Sequence, residues 1–405
     1  MASARQRRIG SLVDGPVRSD DNAFPKEGAD SGVPSTDRDR ELMGRALALA
    51  ERGRATVRPN PMVGCVVVRH GEVVGEGWHE RAGEAHAEVA ALRAAGERVR
   101  GATVYVTLEP CAHSGRTTPC APALAAAGVA RVVYAAEDPN PLAAGGAALL
   151  RAAGVSVTGG VGSEAARQQN EVFFHVHSTG RPFVTLKLAQ SLDGRVAARD
   201  GSSRWITARE ARTAVHELRA AADAVVVGSG TVLADDPRLD VRHVDARAGQ
   251  PRPAVVDRRG RTPPSAHVVR PGALVVTGPD ADAVWRARLE GAGVEVVGVP
   301  AHDQGVDLKA ALRALLDREL QALMVEGGPT LAGAITRAGL VDRLVLHLGG
   351  VVVGGDGLPS LAGRGAPSIS AAGRWTIESV RLLGPDVEVV ARPAEAAVPP
   401  ADRVV

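Results

Sequence analysis

Thr103-Val104-Tyr105-Val106-Thr107-Leu108-Glu109-Pro110-Cys111 reads as a short apolar strand rich in β-branched residues. It stops at a proline and carries a thiol just past its end. Upstream of it, Gly64–Val68 and Val73–Val74 are strands joined by a hairpin turn at Gly71, and a helix starts in His86–Arg93. Downstream follow helix Ala121–Ala127, strand Arg131–Ala135, helix Ala147–Ala153 and strand Val155–Thr158. Strands alternating with helices predict an α/β unit with a largely parallel or mixed sheet. That unit closes near Ser163–Asn170 and the helix after it. At its start, Thr36 and Asp39 have the spacing of a helix N-terminal box. Leu42, Ala46, Leu47 and Ala50 recur at helical spacing, and Gly53 reads as the stop.

Arg181-Pro182 opens a second alternating region. Its expected strands are Phe183–Leu188, Ala224–Val227, Ala254–Val256, Ala273–Thr277, Val294–Val297, Ala322–Val325 and Arg343–Leu348. Helices Arg209–Ala221, Ala283–Glu290, Leu308–Arg318 and Thr330–Ala338 lie between them. The expected organisation is a disordered N-terminal tail over 1–36, one α/β domain over 37–180, a second over 181–395 and a loose tail over 396–405.

Composition narrows the class. The 405 residues exceed one ordinary core, and 45% hydrophobic with 23% charged residues is the balance of a globular chain. The 47 Gly and 26 Pro have no three-residue period, which excludes a collagen. A formal net charge of +2 and 2% aromatics argue against nucleic acid as a partner. Three Cys cannot build a disulfide framework. No window reaches the roughly 18 apolar residues of a membrane helix. Arg5, Arg7 and Arg8 are followed by no apolar run of a secretory signal, so the expected location is the cytoplasm, away from membranes.

His86, Cys111 and Cys120 offer one imidazole and two thiolates, a tetrahedral ligand set for Zn²⁺ that leaves one position to water. Glu88, two residues from His86 on the helix, approaches from another direction and is placed to move protons without ligating. This is the chemistry of zinc nucleobase deaminases. A structural zinc site is the competing reading, but such sites usually have four protein ligands. Eight residues rather than two separate the cysteines, a departure from the general deaminase signature. Cys65 lies inside an apolar strand and reads as core.

Pro59-Asn60-Pro61-x-Val63-Gly64, Gly83-x-x-His86-Ala87-Glu88 and Val106-Thr107-Leu108-Glu109-Pro110-Cys111-x-His113-x-Gly115-Arg116-Thr117-x-Pro119-Cys120 together resemble the bacterial bifunctional riboflavin-biosynthesis deaminase/reductase family. In that family the long loop between the cysteines is the norm. The resemblance implies a cytidine-deaminase-like three-layer domain in which His86, Cys111 and Cys120 bind zinc and Glu88 carries protons. The small-molecule substrate would be a phosphoribosylaminopyrimidine. Asn60 would help hold the pyrimidine, with His79 and His113 near it. A plain turn role for Asn60 stays open.

The second half resembles the reductase half of the same family over residues 181–356, implying a dihydrofolate-reductase-like domain that uses NADPH. The carrying stretches are Pro182–Arg195, Trp205-Ile206-Thr207, Val227–Arg242 and Glu326–Thr330. A strand running into paired glycines and a helix N-terminus suits phosphate binding. Gly228-Ser229-Gly230 has Leu233 where a dinucleotide fingerprint needs its last small residue, so a Rossmann reading is weak. By resemblance, Lys187, Ser203, Thr207, Asp235, Leu239, Arg242 and Glu326 contact substrate, and Ala189, Trp205, Thr231, Gly327, Gly328, Pro329 and Thr330 contact the cofactor. Asp235 is left open between the two ligands. Lys187 and Arg242 suit a sugar phosphate. Turn and core readings compete for Asp235 and Trp205. Arg258 and Arg259 read either as partners of the NADPH 2′-phosphate or as a solvated pair. A homo-oligomer is expected from size and class.

Overall fold

A computed structural model of the chain describes residues 35–112, 119–246, 249–303 and 305–394. The expected tail residues 1–34 and 396–405, and His113, lie outside the described residues. α1 (Asp37–Ala50) starts at the anticipated box: the Asp39 amide donates to the Thr36 hydroxyl at 3.1 Å, and the Thr36 amide to the Asp39 carboxylate at 2.9 Å. The buried Asp39 also accepts from Arg131 at 2.9 and 3.1 Å and from the Tyr105 hydroxyl at 2.8 Å. Burial alone would raise its pKa; Arg131, the Thr36 amide and Tyr105 outweigh it and hold the carboxyl at about 2.

The chain continues through β1 (Gly64–Arg69), β2 (Glu72–Trp78), α2 (Ala87–Ala95), β3 (Thr103–Leu108), α3 (Cys120–Ala126), β4 (Arg131–Ala136), α4 (Gly146–Ala152) and β5 (Ser156–Thr158). The sheet order is β2-β1-β3-β4-β5. β1 pairs antiparallel with β2 and β3, and the remaining pairs are parallel. Successive residues of β1 face opposite cores. Cys65 and Val67 meet Ala91 of α2, Leu124 of α3 and Leu150 of α4. Val66 and Val68 meet Leu42 and Ala46 of α1. Helices on both faces make three layers. α5 (Ser163–Gln169) and α6 (Glu171–Thr179) complete this unit.

β2 runs four residues past the expected Val74, to Trp78. Its extension contains Gly75 and Gly77, which weaken a strand signal. Those glycines let α2 lie close: a Cβ on Gly77 would sit 2.5 Å from the Ala87 carbonyl oxygen and the Ala91 nitrogen.

The second unit comprises β6 (Phe183–Ser191), β7 (Arg195–Ala197), α7 (Arg209–Ala220), β8 (Ala224–Gly228), α8 (Ser229–Asp235), β9 (Arg252–Asp257), β10 (Leu274–Thr277), α9 (Ala283–Gly291), β11 (Glu295–Gly298), β12 (Ala301–His302), β13 (Gly305–Val306), α10 (Leu308–Leu316), β14 (Ala322–Val325), α11 (Pro329–Arg337), β15 (Arg343–Gly349), β16 (Leu358–Pro359), β17 (Trp375–Leu383) and β18 (Asp386–Pro393). Its main sheet has the order β11-β10-β9-β8-β14-β6-β15-β18-β17. It is parallel from β11 to β15, and the last two strands are antiparallel. Leu312 and Leu315 of α10 and Ile335 of α11 cover one face; Trp285 and Leu289 of α9 cover the other. The β17–β18 hairpin is absent from the sequence expectations. β17 is exposed along most of its length, so it shows no alternation between buried and polar positions.

Ion pairs tie the units together. Arg58 donates to the Ala221 carbonyl at 2.6 Å and lies 3.4 Å from Asp223. Glu171, at the start of α6, pairs with both Arg343 and Arg392 of the second unit.

Candidate active sites

α2 has His86 as its N-cap, in extended conformation, and Glu88 in its first turn. Cys111 lies just beyond β3, and Cys120 opens α3. The fold therefore closes the eight-residue gap between the cysteines. The ligating atoms of His86, Cys111 and Cys120 all lie within 4.8 Å of one another. His86 Nδ1 is 3.1 Å from Cys120 Sγ and 3.6 Å from Cys111 Sγ. Hydrogen bonds from Cys120 and His86 hold the Cys111 thiol well below the usual thiol range, against the effect of burial. One imidazole and two sulfurs, one inclined to ionise, fit Zn²⁺ with one position open. Glu88 is 4% exposed, and burial pushes its carboxyl above the usual range.

His86, Glu88 and Cys111 line a cavity of about 590 Å³ together with Asn60, His79, Asp138 and Asn140. The Asn60 side-chain nitrogen lies 3.0 Å from His79 Nε2, while His79 Nδ1 lies 3.1 Å from the Ala85 carbonyl. Nδ1 therefore carries the proton, and the Asn60 amide donates to Nε2. Burial lowers the His79 pKa, consistent with that neutral ring. Glu109 accepts from the amides of Ala147 at 2.9 Å, Gly145 at 3.2 Å and Asp138 at 3.4 Å. It thereby fixes the loop that presents Asp138 and Asn140. Sequence reasoning missed both residues, because no spacing links that loop to the cysteines.

A second cavity, of about 770 Å³, lies in the other unit. It brings together Lys187 and Ala189 of β6, Ser203, Trp205 and Thr207 of the loop between β7 and α7, Asp235 at the end of α8, and Arg242. Arg204, Arg209, Arg212 and Arg219 line it too, so the lining is strongly cationic. Burial pulls the Lys187 ammonium down to about 8; Glu326 opposes the shift and Arg219 adds to it. Arg219 holds Glu326 through two bonds of 2.6 and 2.7 Å and overcomes burial to keep that carboxylate ionised. Trp205 is 66% exposed, which excludes core packing, and the Arg212 guanidinium lies 4.3 Å from its ring centre.

Two family models match this chain. One, described as the cytidine and deoxycytidylate deaminase zinc-binding region, covers residues 36–136; the other, the RibD C-terminal domain, covers residues 182–389. The riboflavin biosynthesis protein RibD of Escherichia coli is 44% identical over 368 residues, spanning 86% of this chain and 98% of that protein. The chain belongs to the RibD family. The RibD of Aquifex aeolicus is 42% identical over 87% of this chain and 97% of its own. Among solved structures, Acinetobacter baumannii RibD superposes with a TM-score of 0.81 at 38% identity, covering 88% of this chain and 99% of that one. The diaminohydroxyphosphoribosylaminopyrimidine deaminase/5-amino-6-(5-phosphoribosylamino)uracil reductase of Thermotoga maritima gives 0.76 at 32% identity, covering 88% and 99%. As a RibD-family member the chain is a bifunctional enzyme of riboflavin biosynthesis, with a zinc-dependent deaminase domain and an NADPH-using reductase domain.

Not every candidate contact of the RibD-type reductase reaches the large cavity. Leu239 is 1% exposed and packs in the core with Val227 and Leu289, so its side chain is a packing group. Thr231 meets the Gly327–Thr330 turn instead, its hydroxyl accepting from the Gly328 amide at 2.9 Å. Glu326 is turned to Arg219. Arg258 is held by Asp280 at 3.0 Å, whereas Arg259 is exposed. Arg212, His216 and Arg219 were missed, although their i, i+4, i+7 spacing places three basic groups on one face of α7.

Proposed function

We propose that the chain hydrolyses an amino group from a diaminohydroxyphosphoribosylaminopyrimidine and then reduces the ribosyl arm of the deaminated product to a ribityl arm. The observation that carries the reading is the His86, Cys111 and Cys120 cluster, two members of which line one cavity with Glu88. His86, Cys111 and Cys120 hold zinc, which when bound supplies Lewis-acid activation of water near neutral pH. Glu88 takes a proton from the attacking water and returns it to the departing amino group. Its raised pKa supports the second transfer, which needs the protonated carboxyl. Asn60, Asp138 and Asn140 hold the pyrimidine.

The first reaction belongs to residues 37–180 and the second to 181–395. NADPH, when bound, would supply the hydride that reduces C1′ of the open-chain sugar. Lys187 and Arg242 take the sugar phosphate, with Ser203, Thr207, Asp235 and Glu326 around the rest of the substrate and Leu239 contributing backbone. Ala189, Trp205, Thr231, Gly327, Gly328, Pro329 and Thr330 position the nicotinamide nucleotide. The enzyme works in the cytoplasm, a reading supported by the lack of a disulfide among Cys65, Cys111 and Cys120. It self-associates, a reading supported by Ile377, Val380 and Leu382 exposed on the edge strand β17.

Full-length zinc-loaded protein given the aminopyrimidine should release ammonia without NADPH, and consume NADPH only once deaminated product exists. NADPH loss preceding ammonia release would overturn the order. Zinc-replete protein that releases no ammonia would overturn the substrate.

A further inference from the structure

The deaminase cavity is completed across the seam. Its buried end holds His86, Glu88 and Cys111, and its lining also includes Arg58 and, from the second unit, the exposed Glu319 between α10 and β14. The Glu319 amide donates to the Leu316 carbonyl at 2.8 Å and the Leu320 amide to the Leu315 carbonyl at 3.2 Å. This closes the end of α10 and calls for a left-handed residue, usually glycine. Glutamate occupies the position with φ 60°, a conformation in which a Cβ is strained. Its carboxylate has no hydrogen-bond or ion-pair partner among the described residues. The turn is also held in place. Asp223 accepts from the amides of Gln321 at 2.9 Å and Ala322 at 2.7 Å, and its other oxygen lies 3.4 Å from Arg58. Arg58 in turn precedes the Asn60 loop.

We propose that Glu319 is a specificity-determining residue of the deaminase site and accepts hydrogen bonds from the hydroxyls of the substrate's ribosyl arm. The inference rests on the substrate reading above. The pyrimidine reacts at the buried end, so the arm extends toward the opening. An acidic side chain there pairs with a vicinal diol, as it does with ribose hydroxyls in nucleotide sites. A contact with a non-reacting part of the substrate, kept equally in ground and transition states, acts on KM rather than kcat.

Full-length zinc-loaded protein and its Glu319→Gly variant are assayed for ammonia release on the phosphoribosylaminopyrimidine and on its 2′-deoxyribosyl analogue. Deaminase KM rises roughly ten- to a hundredfold in the variant, the range of a hydrogen bond to a charged group, with kcat within about twofold. Glycine relaxes the left-handed turn, so the Tm is equal or higher and lost binding is not lost folding. NADPH-dependent reduction of deaminated product is unchanged. Wild type loses a similar factor on the deoxy analogue, while the variant no longer tells the two substrates apart. An unchanged KM, or a variant that discriminates as strongly as wild type, overturns the proposal. Wild type inactive on both substrates overturns the substrate reading, and this inference with it.

Discussion

Lys187 gives the reductase a pH limit that its structure sets. A lysine with its pKa brought down to about 8 loses its charge as pH rises through that value. At about pH 7 roughly nine in ten molecules carry the ammonium, and at about pH 9 roughly one in ten. The substrate phosphate is already a dianion over that window, its second pKa lying near 6. If the ammonium binds the phosphate, kcat/KM for NADPH-dependent reduction falls about tenfold between those pH values. The measurement is the initial rate of NADPH absorbance loss at low concentrations of deaminated substrate, which reports ionisations of the free enzyme. Lys187→Arg keeps its charge and flattens the profile. Glu326→Gln removes the carboxylate that opposes the shift, and moves the break to lower pH. A break near the ordinary lysine value, or a wild-type profile flat through pH 9, would refute the reasoning.

Glu88→Gln should lower deaminase kcat by roughly a hundred- to ten-thousandfold while zinc content and NADPH-dependent reduction persist; metal analysis beside the two assays checks it. Asp39→Asn should cost about 2–3 kcal/mol at neutral pH, from a carboxyl held near 2 rather than at 3.8. Because that pKa is depressed, the contribution is present above about pH 4 and lost as pH falls toward 2, so the denaturation midpoints of variant and wild type should converge in acid. Gly77→Ala should cost about 1–3 kcal/mol by driving a methyl into α2. Deamination should fall with it while reduction holds, because α2 carries Glu88; a proportional loss of both rates would contradict this.

The zinc cluster could be read from the chain because its chemistry depends on residue type: few arrangements of His86, Glu88, Cys111 and Cys120 suggest anything else. Asp138 and Asn140 could not, since common loop residues acquire meaning only when Glu109 draws their loop over the cavity. In the second unit the parallel strands were legible as apolar runs such as Ala224–Val227, buried on both faces. The β17–β18 hairpin was not, because exposed β17 lacks the alternation that marks a half-buried strand. Leu239 has its side chain in the core, so its proposed substrate contact runs through the backbone. Arg212, His216 and Arg219 carry a signal present in the helical spacing and overlooked.

The connector between the units has a consequence for anyone who would separate the two activities. Glu171 grips the reductase sheet through Arg343 and Arg392, and Phe173, two residues on, is part of the deaminase cavity wall. The segment is masonry rather than tether. Inserting a flexible spacer there would breach a chamber instead of lengthening a leash. Two independent polypeptides are better made by cutting beyond Thr179, with Glu171 and Phe173 left on the deaminase piece and new side chains supplied to replace both the grip it loses and the Glu319 wall of its cavity.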